Sequence, residues 1–144
     1  MAIWSHATSV EQLQRNSDNT LVSHVGIEFL ELGDDYLRAR MPVDARTVQP
    51  FRILHGGASV VLAETLGSVA ANLCVDSARK YCVGLEVNAN HVRSAREGSY
   101  VYGTARPYHV GGSTQVWEIR IEDEAGKLTC VSRITMAVLD RPTA

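Results

Sequence analysis

The chain contains 144 residues with 14 basic and 16 acidic side chains, so its formal net charge at pH 7 is −2. This balance excludes the basic excess that is typical of a general nucleic-acid-binding protein. Hydrophobic residues make up 45% of the chain, which is enough for a packed core and too many for an intrinsically disordered protein. The length fits one compact domain, and we expect residues 1–144 to form it.

The sequence predicts neither a membrane span nor a secretory signal. No stretch reaches the roughly 18 consecutive apolar residues that a spanning helix needs, and the N-terminus lacks a basic region followed by an apolar run. Cys74, Cys82 and Cys130 have no close spacing, which argues against a disulfide framework or a zinc site. We therefore expect a cytoplasmic protein that does not bind membranes, with its cysteines acting as small buried hydrophobic side chains.

The first forty residues predict a short helix followed by a β-hairpin. Residues 8–11 match a capping box, and the apolar spacing after them predicts a helix ending near Arg15, with a further turn near Leu21. Strand-like segments at 27–32 and 36–41 flank a Gly-Asp-Asp turn.

A long helix is the least ordinary element that the sequence predicts. Residues 57–75 are rich in Ala and Leu, begin beside a glycine pair and carry Glu64 as their only formal charge. A surface helix normally has a charged face, so we expect protein to surround this one on most sides. The remaining sequence predicts antiparallel strands at 81–93, 99–108, 114–122 and 127–139. About six strands and one apolar helix predict an α+β fold, with an antiparallel sheet curled around a central helix.

Glu64 is the first candidate for catalysis. A carboxylate on an otherwise uncharged helix costs several kcal/mol to desolvate unless it is paired, protonated or faces a wet cleft, and burial would make it a stronger general base. In the alternative interpretation, Glu64, Ser68 and Asn72, spaced four residues apart, form the solvent-facing stripe of the helix. The absence of Lys and Arg along the helix favours catalysis.

The start of the same helix is the second candidate site. Gly56 and Gly57 follow His55, and backbone N–H groups at a helix start can polarise a carbonyl group with the positive end of the helix dipole behind them. The alternative is an ordinary junction between a loop and a helix.

The spacing of the two candidates predicts a dimer. Glu64 follows Gly56 by eight positions, which corresponds to about 12 Å along a helix. One reacting carbonyl group needs both partners within about 3 Å. If both act on one bond, they must therefore come from two copies of the chain.

A third group of candidates is the segment 91–96, with Arg106 on the next strand. Clustered arginines and a serine can bind phosphate groups through charge-assisted hydrogen bonds, although ordinary surface arginines at a strand end would give the same pattern. The sequence contains no P-loop, GxGxxG, HExxH or GxSxG motif.

With these residues in view, the chain resembles the hotdog-fold thioesterases of the 4-hydroxybenzoyl-CoA thioesterase-like branch. Within that branch it is similar to two bacterial subgroups, the 1,4-dihydroxy-2-naphthoyl-CoA hydrolases and the proofreading thioesterases of enterobactin synthesis. The resemblance covers nearly the whole chain and rests on five motifs in order: Met41-Pro-Val-Asp44, Gln49-Pro-Phe51, Leu54-His-Gly-Gly-Ala-Ser59, Leu62-Ala-Glu-Thr-Leu-Gly-Ser68 and Val83-Gly-Leu-Glu-Val-Asn-Ala-Asn-His91.

The resemblance implies a hotdog fold and thioester hydrolysis without a metal or cofactor, coenzyme A being part of the substrate. It implies that Glu64 is the nucleophile or general base and that the Gly56 N–H of a partner subunit polarises the thioester carbonyl. Gln49 and His55 would hold the reacting region, and Ser68 would position water or Glu64. The residues implied to bind coenzyme A are Gly84, His91, Arg93, Ser94, Arg96 and His109.

The resemblance also implies a homodimer that forms the active site, with a homotetramer as a further expectation. Arg52 departs from the pattern, since relatives usually have glycine there, and its side chain could narrow or recharge the acyl pocket. Two alternatives to acyl-CoA hydrolysis remain: release of misloaded acyl groups from an aryl carrier protein, and acyl-CoA binding without catalysis.

Overall fold

The computed structural model describes residues 1–143, in which an antiparallel sheet of six strands packs against one long helix. The elements in chain order are α1 (Val10–Asn16), α2 (Leu21–His24), β1 (Glu28–Leu32), β2 (Leu37–Pro42), α3 (Gly56–Leu73), β3 (Lys80–His91), β4 (Tyr100–Val110), β5 (Thr114–Glu122) and β6 (Leu128–Asp140). The strand order is β1-β2-β4-β5-β6-β3, so β1 and β3 are the two edge strands.

The core lies between α3 and the face of the sheet that packs against it. Leu62, Leu66 and Ala70, at helical spacing, are fully buried there, and they face fully buried side chains of the central strands such as Trp117 and Ile134. Within α3 only Gly57 and Glu64 are exposed. The expectation that protein surrounds most of this helix is therefore confirmed.

The predicted elements agree with the observed ones to within about two residues, with one correction at the N-terminus. The capping box predicted over residues 8–11 makes Thr8 the N-cap, but Ser9 caps α1, and its side chain accepts a hydrogen bond from the Gln12 N–H at 3.2 Å. A capping box does occur at α2, between Thr20 and Ser23.

The side chain of Asn72 joins the C-terminal half of α3 to β3. Its amide nitrogen donates to the Cys82 carbonyl oxygen at 3.1 Å, and its amide oxygen accepts from the Cys82 N–H at 2.8 Å. The helix therefore contacts the edge strand β3 as well as the central strands of the sheet.

The cysteines behave as the sequence predicts. Cys82 and Cys130 are buried and Cys74 is half-buried, and all three are free thiols. Burial raises the pKa of each thiol, that of Cys74 to about 11. No helix within residues 1–143 is both long and apolar enough to cross a membrane.

Candidate active site

Glu64 lies exposed in a groove on the outward face of α3. The groove is lined mainly by apolar side chains, from α2 on one side and from α3 on the other: Leu21, Val22, Val61, Thr65, Ser68 and Val69. The side chain is not buried within the single chain. Of the three ways in which this carboxylate could avoid the cost of desolvation, which are pairing, protonation and a wet cleft, the wet cleft describes it best. A carboxylate placed this way is accessible to water and to a bound substrate.

Gly84 on β3 allows Glu64 to lie against the edge strand. A Cβ atom at position 84 would come within 2.7 Å of the Glu64 Oε1 atom, which is closer than two such atoms can approach. Gly84, which the family resemblance implies is a coenzyme A contact, therefore lies directly beside the candidate catalytic carboxylate.

The interpretation of Glu64, Ser68 and Asn72 as a solvent-facing stripe is wrong for two of the three residues. Asn72 is half-buried and hydrogen-bonded to Cys82, as described above. Ser68 is half-buried in the groove, one turn after Glu64. Glu64 alone is exposed, and Ser68 lies where it can contact the same ligand.

The N-terminus of α3 is a polar centre between two histidines. His55 is the N-cap, and its Nδ1 atom accepts from the Gly57 N–H at 2.8 Å. The Gly56 N–H has no hydrogen-bond acceptor within residues 1–143, so it is available to a ligand. A Cβ atom at Gly56 would lie 2.9 Å from Nε2 of His91, which shows how closely that ring packs on the helix start.

Gln49 lies in a tight turn beside this helix start. The Arg52 N–H donates to the Gln49 carbonyl oxygen at 2.8 Å, and the Gln49 side chain accepts from the Phe51 N–H. The turn is attached to the segment after β3, because the Leu54 N–H donates to Ala95 O at 2.9 Å. The fold thus brings the Gln49 turn, the helix start and the segment after His91 to one end of the sheet.

Arg52 has a φ of 62°, in the left-handed region that favours glycine. This conformation gives a physical reason for the glycine expected here from the family pattern. The side chain is exposed and paired with Glu97, so its charge is balanced locally.

Arg93, Ser94 and Arg96 line one surface pocket of about 430 Å³, together with Lys127 and two acidic residues of the β5–β6 turn. The three exposed side chains expected to bind phosphate groups are therefore near one another. Arg106 is not part of this cluster, contrary to the sequence-based interpretation, because it pairs with Asp35 at 2.9 Å.

His109 lies at the opposite end of the sheet from this pocket. The Arg93 N–H donates to Thr129 O, at the start of β6, whereas His109 pairs with Val116, which pairs with Thr135. Six residues of strand separate Thr129 from Thr135, or about 20 Å. Within one chain, Arg93 and His109 therefore cannot hold the same part of a ligand.

No three His, Cys, Asp or Glu side chains within the described residues are grouped so that they could hold a metal ion. The groups assembled around α3 are a carboxylate, a free backbone N–H and two imidazoles.

The amino-acid sequence matches the family model of the thioesterase superfamily over residues 51–130. It is 54% identical to the 1,4-dihydroxy-2-naphthoyl-CoA hydrolase of Escherichia coli over 95% of this chain and 99% of that protein. The chain belongs to the thioesterase superfamily. It is also 49% identical to the proofreading thioesterase EntH of Cronobacter turicensis, over 95% of this chain and 98% of that protein.

Solved thioesterases share the fold of this one. A mutant of the thioesterase PA1618 from Pseudomonas aeruginosa superposes with a TM-score of 0.95 at 49% identity, over 97% of this chain and 100% of that chain. The thioesterase HI1161 from Haemophilus influenzae gives 0.92 at 48% identity, over 96% and 95%. The predicted α+β hotdog fold is confirmed, and the chain is a thioester hydrolase.

Sequence reasoning missed part of the wall beside Glu64. Val61 and Ser68 lie one helical turn to either side of Glu64, so helical spacing alone could have found Val61. Leu21 and Val22 belong to α2, and no spacing in the sequence indicates that α2 packs over the thioesterase groove.

Proposed function

We propose that this thioesterase hydrolyses aryl- or acyl-CoA thioesters in the cytoplasm, and that each active site combines two copies of the chain. The observation that carries the proposal is the unbroken helix α3, which holds the free Gly56 N–H and the exposed Glu64 eight residues apart. That spacing corresponds to about 12 Å, which is too far for both groups to act on one thioester from the same chain.

Glu64 supplies the attack in this proposal. Either it takes a proton from water, whose oxygen then bonds to the carbonyl carbon, or its own oxygen forms an anhydride that water later cleaves. In both routes the carbon–sulfur bond breaks and coenzyme A leaves as a thiolate that is then protonated. A thiolate is a good leaving group, so one carboxylate and a preorganised carbonyl site are sufficient without a cofactor. Ser68, in the same groove, would position the water or Glu64.

The start of α3 in the partner chain would polarise the carbonyl group. The Gly56 N–H is unpaired within the described residues and lies at the positive end of the helix dipole. Such a donor strengthens as the oxygen gains charge in the transition state. His55 and Gln49 flank this position and would hold the thioester in place.

The edge strand β3 offers a way to join two chains. Its exposed side chains include Val83 and Leu85, and an antiparallel pairing of β3 with its copy would add a strand to each sheet edge. Because such a pairing is two-fold, the Arg93 end of one chain would face the Gly84 and His109 end of the other. In this arrangement, one coenzyme A site would combine residues of two chains. Gly84 and His109 would come from one chain, and His91, Arg93, Ser94 and Arg96 from the other. Further pairing of dimers into a tetramer is compatible with it.

The names of the relatives guide the choice of substrate. Hydrolysis of an aromatic CoA ester related to 1,4-dihydroxy-2-naphthoyl-CoA is the leading candidate, and release of misloaded groups from an aryl carrier protein is the alternative. The two differ in the relative rate on a CoA ester and on the same acyl group attached to a carrier protein.

The test is thiol release from a panel of aromatic and aliphatic CoA esters by the wild-type chain and by Glu64→Gln. We expect the variant to lose on the order of 10²- to 10⁴-fold in kcat while still binding a CoA ester. Wild-type kcat in Glu64→Gln would remove Glu64 from the mechanism. Tight binding of CoA esters without turnover by the wild-type chain would support the non-catalytic binding module instead.

A further inference from the structure

A second pocket lies beside the groove that contains Glu64, toward the C-terminus of α3. Ser68 and Val69 line both, so the two pockets adjoin on the helix, and we refer to the adjoining pair as the channel. The second pocket has a volume of about 330 Å³ and ends at Ser77 and Arg141, beyond the last turns of α3. From Glu64 to Asn72, which lines the second pocket, the helix rises by about 12 Å.

The chemistry of the channel changes along its length. Near Glu64 the lining is mostly apolar, with α2 on one side and α3 on the other. The far end is polar, and its lining residues include His6, Asn16, Ser17, Ser77 and Arg141. A ligand that fills the whole channel therefore needs an apolar middle and a polar far end.

Arg141 is held at this far end by contacts that leave its terminal nitrogens free. Its backbone N–H donates to Arg79 O at 2.8 Å and its Nε donates to Ser77 O at 2.7 Å. The guanidinium carbon lies 5.4 Å from the centre of the Tyr81 ring. Within the described residues, the terminal nitrogens donate to no acceptor. The fold thus holds a cation at this end of the channel with its terminal nitrogens free to donate to a ligand.

We propose that Arg141 is a specificity-determining residue that binds a carboxylate at the far end of the acyl group. The inference rests on the proposed function, since it places the thioester carbonyl beside Glu64. Each carbon of an extended chain advances by about 1.25 Å, so about ten carbons cover the roughly 12 Å that separate the levels of Glu64 and Asn72 on the helix. Among the acyl-CoA substrates of the proposed function, the class that fits this pairing is therefore CoA thioesters of medium-chain dicarboxylic acids, in which the free carboxylate pairs with the guanidinium.

The test compares decanedioyl-CoA with decanoyl-CoA in the wild-type chain, Arg141→Gln and Arg79→Gln. The readout is the ratio of the two kcat/KM values, which does not depend on the fraction of folded enzyme. We expect Arg141→Gln to lower this ratio roughly five-fold, mainly through KM, as for an exposed ion pair. Arg79→Gln removes the same charge from a neighbouring exposed position outside the channel, so it should leave the ratio unchanged.

Chain length provides a second readout. Succinyl-CoA also ends in a carboxylate but is too short to reach Arg141, so its kcat/KM should not change in Arg141→Gln. An unchanged ratio in Arg141→Gln, or an equal fall in Arg79→Gln, would overturn the inference. Two outcomes separate this inference from the proposed function. If Glu64→Gln abolishes hydrolysis and Arg141→Gln keeps the ratio, the inference about Arg141 fails and the proposed function stands. If Glu64→Gln keeps full activity, the proposed function itself fails.

Discussion

At the scale of single residues, two glycines control how closely functional side chains approach the backbone. Gly84 makes room for the Glu64 carboxylate on β3, and Gly56 makes room for the His91 ring at the start of α3. In neither case does the backbone have a positive φ, so any residue could adopt the conformation there. The requirement is for space, because every other amino acid has a Cβ atom.

Gly84→Ala tests this requirement. The added methyl group would push the Glu64 carboxylate aside, so we expect kcat to fall roughly ten- to a hundred-fold, as for a catalytic group displaced by about 1 Å. The free energy of unfolding, measured with urea, should be unchanged or higher, because alanine suits a strand better than glycine. Gly112→Ala is the matched control, since a Cβ atom there meets nothing within 4 Å. Full activity in Gly84→Ala would show that Glu64 acts from another position.

The sequence predicted Glu64 and Gly56 as functional residues because their chemistry is visible in one helix. It could not predict that Gly84 lies beside Glu64, since this depends on how α3 crosses β3. The left-handed conformation of Arg52 does not follow from the residue type, because an arginine does not indicate a positive φ; only the glycine of the family pattern is consistent with it.

At the scale of elements, Asn72 fixes α3 to the edge strand β3. Both polar groups of its amide bond the backbone of Cys82. The alternative interpretation from helical periodicity placed this position in solvent, because the pattern cannot show that a strand lies beside that face. The same hydrogen bonds occupy the Cys82 N–H, so a second strand added to this edge would pair with residues after Cys82.

Asn72→Ala should lower the free energy of unfolding by about 2 kcal/mol, because it leaves the Cys82 N–H and C=O without their partner. Urea denaturation of the purified chain measures this loss. Asn90→Ala removes an amide from an exposed position of the same strand, and we expect a change below about 0.5 kcal/mol. Equal effects of the two substitutions would contradict the role of Asn72.

At the scale of the whole molecule, the proposed site divides its work between two chains. Gly56→Pro removes the N–H donor in one half-site, and proline fits the first position of a helix after the extended His55. Glu64→Gln removes the carboxylate from the other half-site. A heterodimer of the two variants would then contain one intact site and one site with both defects.

We expect each variant alone to be nearly inactive and the heterodimer, purified with two different tags, to recover about half of the wild-type kcat. Gly56→Ala is the control for the added Cβ atom beside His91, because it keeps the N–H. We expect it to be on the order of 10²-fold more active than Gly56→Pro. A heterodimer without activity would mean that both groups act within one chain.

The free edge of β3 has a consequence for the behaviour of the protein in solution. A long strand with unpaired backbone groups and exposed Val83 and Leu85 is a template for the addition of foreign strands. Leu85 lies at a bulge in the register with β6, which interrupts this template only locally. Substitutions that prevent two chains from pairing through β3 would therefore promote aggregation. Colloidal stability and catalysis would then both depend on this edge strand.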